Sequence, residues 1–150
     1  MAVVVATRTK MRKYRYVPGF TVRSVAVARQ ARRSPGFVGG RLLIGRDGSF
    51  WTLTVWESGR NMVGFRDTGL HGKLMPKMAG WAEESLFGLW NRETAGMPNW
   101  DEVSRHVADK PNFLELEAPS RSHQDGHAPA APKIRFVVPI PVRRTARSQR

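Results

Sequence analysis

The segment Phe50-Trp51-Thr52-Leu53-Thr54-Val55-Trp56 alternates aromatic, aliphatic and β-branched residues and predicts a strand. Trp51, Leu53 and Val55 point one way and Phe50, Thr52, Thr54 and Trp56 the other, so neither face is plainly polar. The apolar run Phe37 to Ile44 precedes it, and the Asp47-Gly48 pair in the 45–49 turn joins the two as a hairpin. Glu57-Ser58 then opens a helix with Met62, Val63 and Phe65 on its buried side, broken at Gly69. A second helical piece carries Leu70, Leu74, Met78 and Trp81 on one stripe, and Pro76 is expected to kink or divide it.

Val3 to Arg8 predicts a first strand. After a break at Pro18-Gly19, Phe20 to Arg33 predicts a helix with Val22, Val25, Ala26 and Ala28 as its apolar face, ended by Ser34-Pro35-Gly36. Downstream come a strand over Glu84 to Asn91, a short helix from Pro98 through Val107, and a small edge strand at Phe113 to Glu117. Pro119 to Pro132 has the composition of a linker. Lys133 to Val142 carries Pro139 and Pro141, which restricts it to an edge strand or an unpaired arm, and Arg143 to Arg150 is expected to be disordered. The expected division is a domain at 1–118 and a basic Pro/Ala/Arg-rich extension at 119–150.

The order β-α-β-β-α-β is that of a ferredoxin-like α+β sandwich, with helices on one face of the sheet. The second face would carry too much apolar area to stay wet. A homodimer that pairs two such sheets into a barrel is the expected solution.

Composition narrows the chemistry. With no cysteine, thiolate nucleophiles, disulfides and Cys-based metal sites are excluded. His71, His106, His123 and His127 have no compact metal-ligand spacing, so no metal is expected. No apolar run approaches the roughly 20 residues that span a bilayer. Val3-Val4-Val5 precedes the basic residues rather than following them, the reverse of a secretory signal, so a cytoplasmic location is expected. The net charge of +13 is uneven: residues 1–50 hold eleven Lys/Arg against one acid, and residues 119–150 hold seven against one. Basic ends of this kind can bind nucleic acid, although a solvated surface with a basic tail is the simpler reading.

Several segments together resemble a known group. Ser34-Pro35-Gly36-Phe37-Val38-Gly39-Gly40, Trp51 through Ser58, Phe65 and Gly69-Leu70-His71 resemble the dimeric α/β-barrel superfamily, in its antibiotic biosynthesis monooxygenase-like group. Met75 to Glu84 is similar to an uncharacterised branch of that group, a domain of unknown function. Trp81 to Phe87 is similar to spheroidene monooxygenases, carotenoid oxygenases on a related barrel. The resemblance spans roughly residues 20–108. It implies a dimeric barrel and monooxygenase-like chemistry on a small hydrophobic substrate, aromatic or isoprenoid-like. Cofactor-independent quinone-forming members of the group use an Asn and a Trp four residues apart. Asn61 matches the Asn, and Phe65 stands at the Trp position. Haem-degrading relatives need that Trp and a His ten residues further on, where this chain has Phe65 and Met75.

His71 is the histidine of the predicted core, a candidate general base or, in a different pose, an axial haem ligand. Its simpler role is a helix-end imidazole bonded to a carbonyl beside Gly69 and Gly72. Asn61 is a candidate donor to a substrate enolate or phenolate. Trp51, Trp56, Phe65 and Trp81 are candidate walls of an aromatic pocket, and Arg41 a candidate for an anionic group on the substrate. Arg66 is more simply read as half of a solvated salt bridge. Glu83 and Glu84 are adjacent, so on a strand they face opposite sides and cannot work as an acid–base pair; one of them is expected to pair with an arginine. Three function classes follow: a monooxygenase-like enzyme, a non-catalytic ligand-binding or dimerising protein, and a nucleic-acid-binding module. The first requires a deep apolar pocket that includes His71 or Asn61.

Overall fold

A long first strand, β1 (Ala2–Met11), runs through the middle of the sheet in the computed structural model, which describes residues 1–141. It pairs antiparallel with β3 (Phe50–Trp56) on one side and β4 (Ala82–Arg92) on the other. β2 (Phe37–Gly45) lies outside β3, joined to it by the expected hairpin. β6 (Ile134–Ile140) adds to β2, and the two-residue β5 (Asn112–Phe113) adds to β4. The strand order is therefore β5-β4-β1-β3-β2-β6. Its inner four have the ferredoxin-like arrangement, and the fold is α+β as expected.

One face is covered by α1 (Val17–Arg33), α2 (Gly59–Arg66) and α3 (Gly69–Trp81). Trp56, Phe37, Met62 and Phe65 pack together here, as do Phe20, Leu74 and Met78 further along. The other face is covered by α4 (Trp100–Asp109), whose Val103 and Val107 are fully buried on Val4, Leu53, Val55, Leu86 and Trp90. The His106 ring stacks on Trp90 at 4.4 Å, and Arg92 pairs with Glu102 at 2.9 Å. The alternation in β3 is as read: Trp51, Leu53 and Val55 enter the α4 side and Trp56 the opposite side.

This closure alters one premise. The second sheet face was expected to be open and to need another copy, yet Val4, Ala6, Leu53 and Val55 are each 0 % exposed within the single chain. The short helix that the sequence predicts after Pro98 supplies the cover.

Local differences have local causes. α1 begins at Val17 rather than after Gly19, because a proline in a first turn loses no hydrogen bond there. Its buried stripe is Phe20, Val27, Ala28 and Ala31, while Val22 and Val25 face outward. Val63 and Leu70 are likewise exposed. Pro76 does not divide α3; buried Leu74 and Met78 on either side hold it in register, and the break expected at Gly69 falls between Arg66 and Gly69. The alternating 113–117 stretch pairs only at its first residue, after which Leu114 and Glu117 bond singly to Ser85 and Ala79. Within the linker, Ser120 caps a single turn, α5 (Arg121–Gln124). Lys133 to Val142 takes the edge-strand option over Ile134–Ile140, and the disorder expected for Arg143 to Arg150 lies outside the described residues.

Candidate functional site

Among the described residues, a cavity lies on either side of the sheet. The larger, about 400 Å³, lies on the α4 side beneath residues 127–133, with Trp51, Leu86 and Phe113 among its walls. Three of its charged groups, Arg8, Asp47 and Glu84, satisfy one another, while Arg46 and Lys133 also line it. Buried Arg8 donates to Glu84 at 2.5 Å and to Asp47 at 3.1 Å, and Ser120 donates to Glu84 at 3.0 Å. Burial alone would raise both carboxyls; the hydroxyl and N–H of Ser49, then Arg8, hold Asp47 below its usual range, and Arg8, then Ser120, do the same for Glu84. This is a structural ion-pair network, with Glu84 as the arginine partner the sequence suggested and Glu83 facing Lys10 at 3.8 Å.

The smaller cavity, about 180 Å³, lies between the sheet and α1–α3. β1, β3 and β4 form its floor with Thr7, Thr9, Thr52, Thr54 and Ser85, among apolar Val5, Phe87 and Leu89. α1 contributes Phe20, Val27 and Ala31, and α2 and α3 contribute Met62, Phe65, His71, Leu74 and Met78. Exposed Met75 and Leu89 stand where it opens. An apolar wall with a few polar groups is the usual make-up of a small-molecule site.

His71 is the one ring in this cavity that can carry a proton. Its Nδ1 lies 2.9 Å from the Arg66 carbonyl oxygen, which can only accept, so Nδ1 is the protonated nitrogen. Nε2 then keeps its lone pair and is the nitrogen left for a ligand. Burial pushes the imidazole below its ordinary pKa; the carbonyl contact and the Asp67 charge oppose this without cancelling it. The ring is therefore neutral at pH 7. It sits 4.8 Å from the Phe65 ring, Phe65 stacks on Trp56 at 4.9 Å, and Trp56 meets Phe37 at 5.3 Å. The Trp56 indole N–H is spent on Thr54 Oγ1 at 3.0 Å.

The turn that carries His71 is held by a residue the sequence reading passed over. Gln30 of α1 donates through Nε2 to the carbonyls of Thr68 at 2.8 Å and Phe65 at 3.3 Å, and its Oε1 accepts from the His71 backbone N–H at 3.0 Å. Gly69 makes this approach possible: its φ is +59°, and a Cβ there would lie 3.1 Å from the Gln30 carboxamide. A glutamine amid helical arginines gives no periodic signal, so only the fold reveals it.

Of the residues named from the sequence, the structure brings Trp56, Phe65 and His71 together. Asn61 is elsewhere. Its side chain packs on Gly36, where φ is +77° and a Cβ would lie 2.3 Å from the Asn61 carboxamide carbon. Its Oδ1 accepts from the Ser58 hydroxyl at 2.6 Å, so it secures the start of α2. Trp51 belongs to the α4 side, and Arg41 sits in strand phase with Leu43 on that same side. Trp81 stacks against Tyr16 at 5.9 Å beneath the Arg23 guanidinium, outside the cavity lining. Arg66 is paired with Asp67 at 2.7 Å.

A haem does not fit this site. At about 180 Å³ the cavity is smaller than the roughly 300–1,000 Å³ typical of pockets for drug-sized ligands, and a haem is at least as large as such ligands. No group of three or more metal-binding side chains is present among the described residues. No helix among them is long and apolar enough to cross a membrane.

The sheet order, the three helices on one face and the cavity beneath them give this chain the fold of antibiotic biosynthesis monooxygenase-like proteins. SnoaB, a cofactor-independent oxygenase from Streptomyces nogalater, is similar at 20 % identity with a TM-score of 0.53, over 65 % of this chain and 98 % of that one. An antibiotic biosynthesis monooxygenase matches at 15 % identity and TM-score 0.54, over 63 % of this chain and 100 % of that one. Rv0793 from Mycobacterium tuberculosis matches at 12 % identity and TM-score 0.57, over 63 % and 97 %. At these identities the likeness is one of fold. No protein-family model and no curated protein matches the sequence.

Proposed function

We propose that this protein is a cytoplasmic, cofactor-independent, monooxygenase-like enzyme for a small hydrophobic aromatic substrate, with His71 as its general base. One observation carries this reading: a neutral imidazole, fixed through Nδ1 to the Arg66 carbonyl, borders an otherwise largely apolar cavity. A base of this kind removes a proton from a carbon or phenol activated by the aromatic system. For a CH₂ beside a carbonyl, the resulting carbanion reacts with dioxygen. One oxygen atom stays as a new carbonyl, and the other leaves as water with the two hydrogens. The substrate supplies all the electrons, so the step calls on no further reductant.

The size of the cavity favours an aromatic ring system over an isoprenoid chain. A site of about 150 Å³ holds a single benzene ring, and this one, at about 180 Å³ with an open side, suits one or two fused rings. Phe65 and Trp56 offer flat surfaces against which such rings pack.

2-Tetralone, with a doubly activated CH₂ and two rings, serves as the test compound. In D₂O the protein is expected to accelerate exchange of that CH₂, and in air to consume dioxygen with it. His71→Ala is expected to lower both rates by 10²-fold or more, as for loss of a general base. Exchange that is unchanged in His71→Ala would refute this assignment.

A homodimer is also part of this reading. With the α4-side face already covered, we propose that the second copy docks on β6, where Ile134, Phe136, Val137 and Val138 are all exposed along the sheet edge.

A further inference from the structure

Building on the reading of His71 as a base, we propose that Thr7 and Thr52 form a subsite for the oxygen of an aryl ketone or phenol. That oxygen is the atom on which negative charge gathers as the substrate loses its proton. The two residues face each other across β1 and β3 as register partners, and both line the cavity. Directly opposed strand residues have Cβ atoms about 5 Å apart, close enough for two hydroxyls to reach one oxygen.

Their neighbours show why these two are available. Thr9 is bonded to Ser85 at 3.1 Å, and Thr54 accepts the Trp56 indole N–H at 3.0 Å. Thr7 and Thr52 have no corresponding side-chain partner among the described residues, and neither hydroxyl is sealed from the cavity. Valine would serve a strand equally well in these surroundings, so packing alone does not account for the hydroxyls. They lie on the sheet wall, whereas His71 stands on the helical wall.

The chemistry closes without an external oxidant. His71 Nε2 takes a proton from the carbon beside the carbonyl. The C–H electron pair becomes the new C=C bond, and the carbonyl π pair moves onto oxygen as an enolate. Two hydroxyl donors aimed at that oxygen stabilise the charge as it forms. The ligand class is a neutral, planar, one- or two-ring aromatic ketone or phenol. A carboxylate is disfavoured, because Arg66, the cation at this cavity, is paired with Asp67.

2-Tetralone and tetralin have the same ring skeleton and differ by the carbonyl, so the ratio of their affinities reads the subsite. At neutral pH His71 Nε2 carries no proton and cannot donate to the ketone. Affinities for both compounds, measured by NMR on protein labelled in threonine and methionine methyls, are expected to favour the ketone in the wild type. Thr7→Val combined with Thr52→Val is expected to weaken 2-tetralone by about tenfold and to leave tetralin within twofold, which also reports that the cavity remains folded. His71→Ala is expected to keep the affinity for 2-tetralone while losing exchange, so the subsite and the base are judged separately. Equal ketone affinity in the wild type and the double valine variant would overturn the subsite, as would no preference for ketone over tetralin in the wild type.

Discussion

At the scale of single residues, the cavity separates side chains with similar prospects in the sequence. His71 was legible because it is the histidine inside a hydrophobic pattern, and Trp56 and Phe65 because strand and helix periodicity aim them at one layer. Asn61, Trp51, Trp81 and Arg41 looked equally chemical, but their positions depend on which sheet face and which helix end they meet. Thr7 and Thr52 were silent, since threonine is an ordinary strand residue. The depressed pKa of His71 sets a pH dependence. A base works only when unprotonated, so the fall of kcat/KM for 2-tetralone exchange with acid is expected to have its midpoint below pH 6.5, the ordinary imidazole value. Stability follows the same sign: because the folded pKa lies below the unfolded one, the neutral ring's contribution is present above the unfolded value and lost on acidification. A rate profile with its midpoint above 6.5 would conflict with the half-buried, neutral ring.

At the scale of elements, the strands and helices were largely legible from alternation and from the 3.6-residue period, and their boundaries less so. The helical face of α1 was legible in part: Ala28 packs on the core as expected, but Val22 and Val25 face outward and Phe20, Val27 and Ala31 complete the contact. Pro76 has a strong local effect that neighbouring burial overrides, a competition that no local pattern expresses. The link between α1 and the α2–α3 turn was invisible, because it consists of one side chain bonded to backbone groups 35 to 41 residues away. Gln30→Ala removes all three of these bonds. It is expected to cost about 1–3 kcal/mol in urea denaturation and to raise amide exchange selectively from Phe65 to Gly72. Exchange that rises evenly along α1 instead would show that Gln30 supports its own helix and not the turn.

At the scale of the whole molecule, the sheet was expected to close against a second copy, and it closes against α4 of its own chain. The residues from Pro98 through Val107 were legible as a helix, but sequence alone did not say which face of the sheet they would cover. Among the described residues, four exposed apolar side chains, Ile134, Phe136, Val137 and Val138, follow one another on β6 at the sheet edge. Phe136→Glu with Val138→Glu is expected to convert a dimer to a monomer by light scattering with little change in Tm, since both side chains are exposed. The proposed function rests on one imidazole at the cavity between sheet and helices, whose state is directly observable. In a ¹⁵N NMR titration, with His71→Ala to separate its signals from those of His106, His123 and His127, His71 is predicted to be the Nδ1–H tautomer with a midpoint below 6.5. An Nε2–H tautomer, or a midpoint at or above 6.5, would contradict a neutral base presented to the cavity.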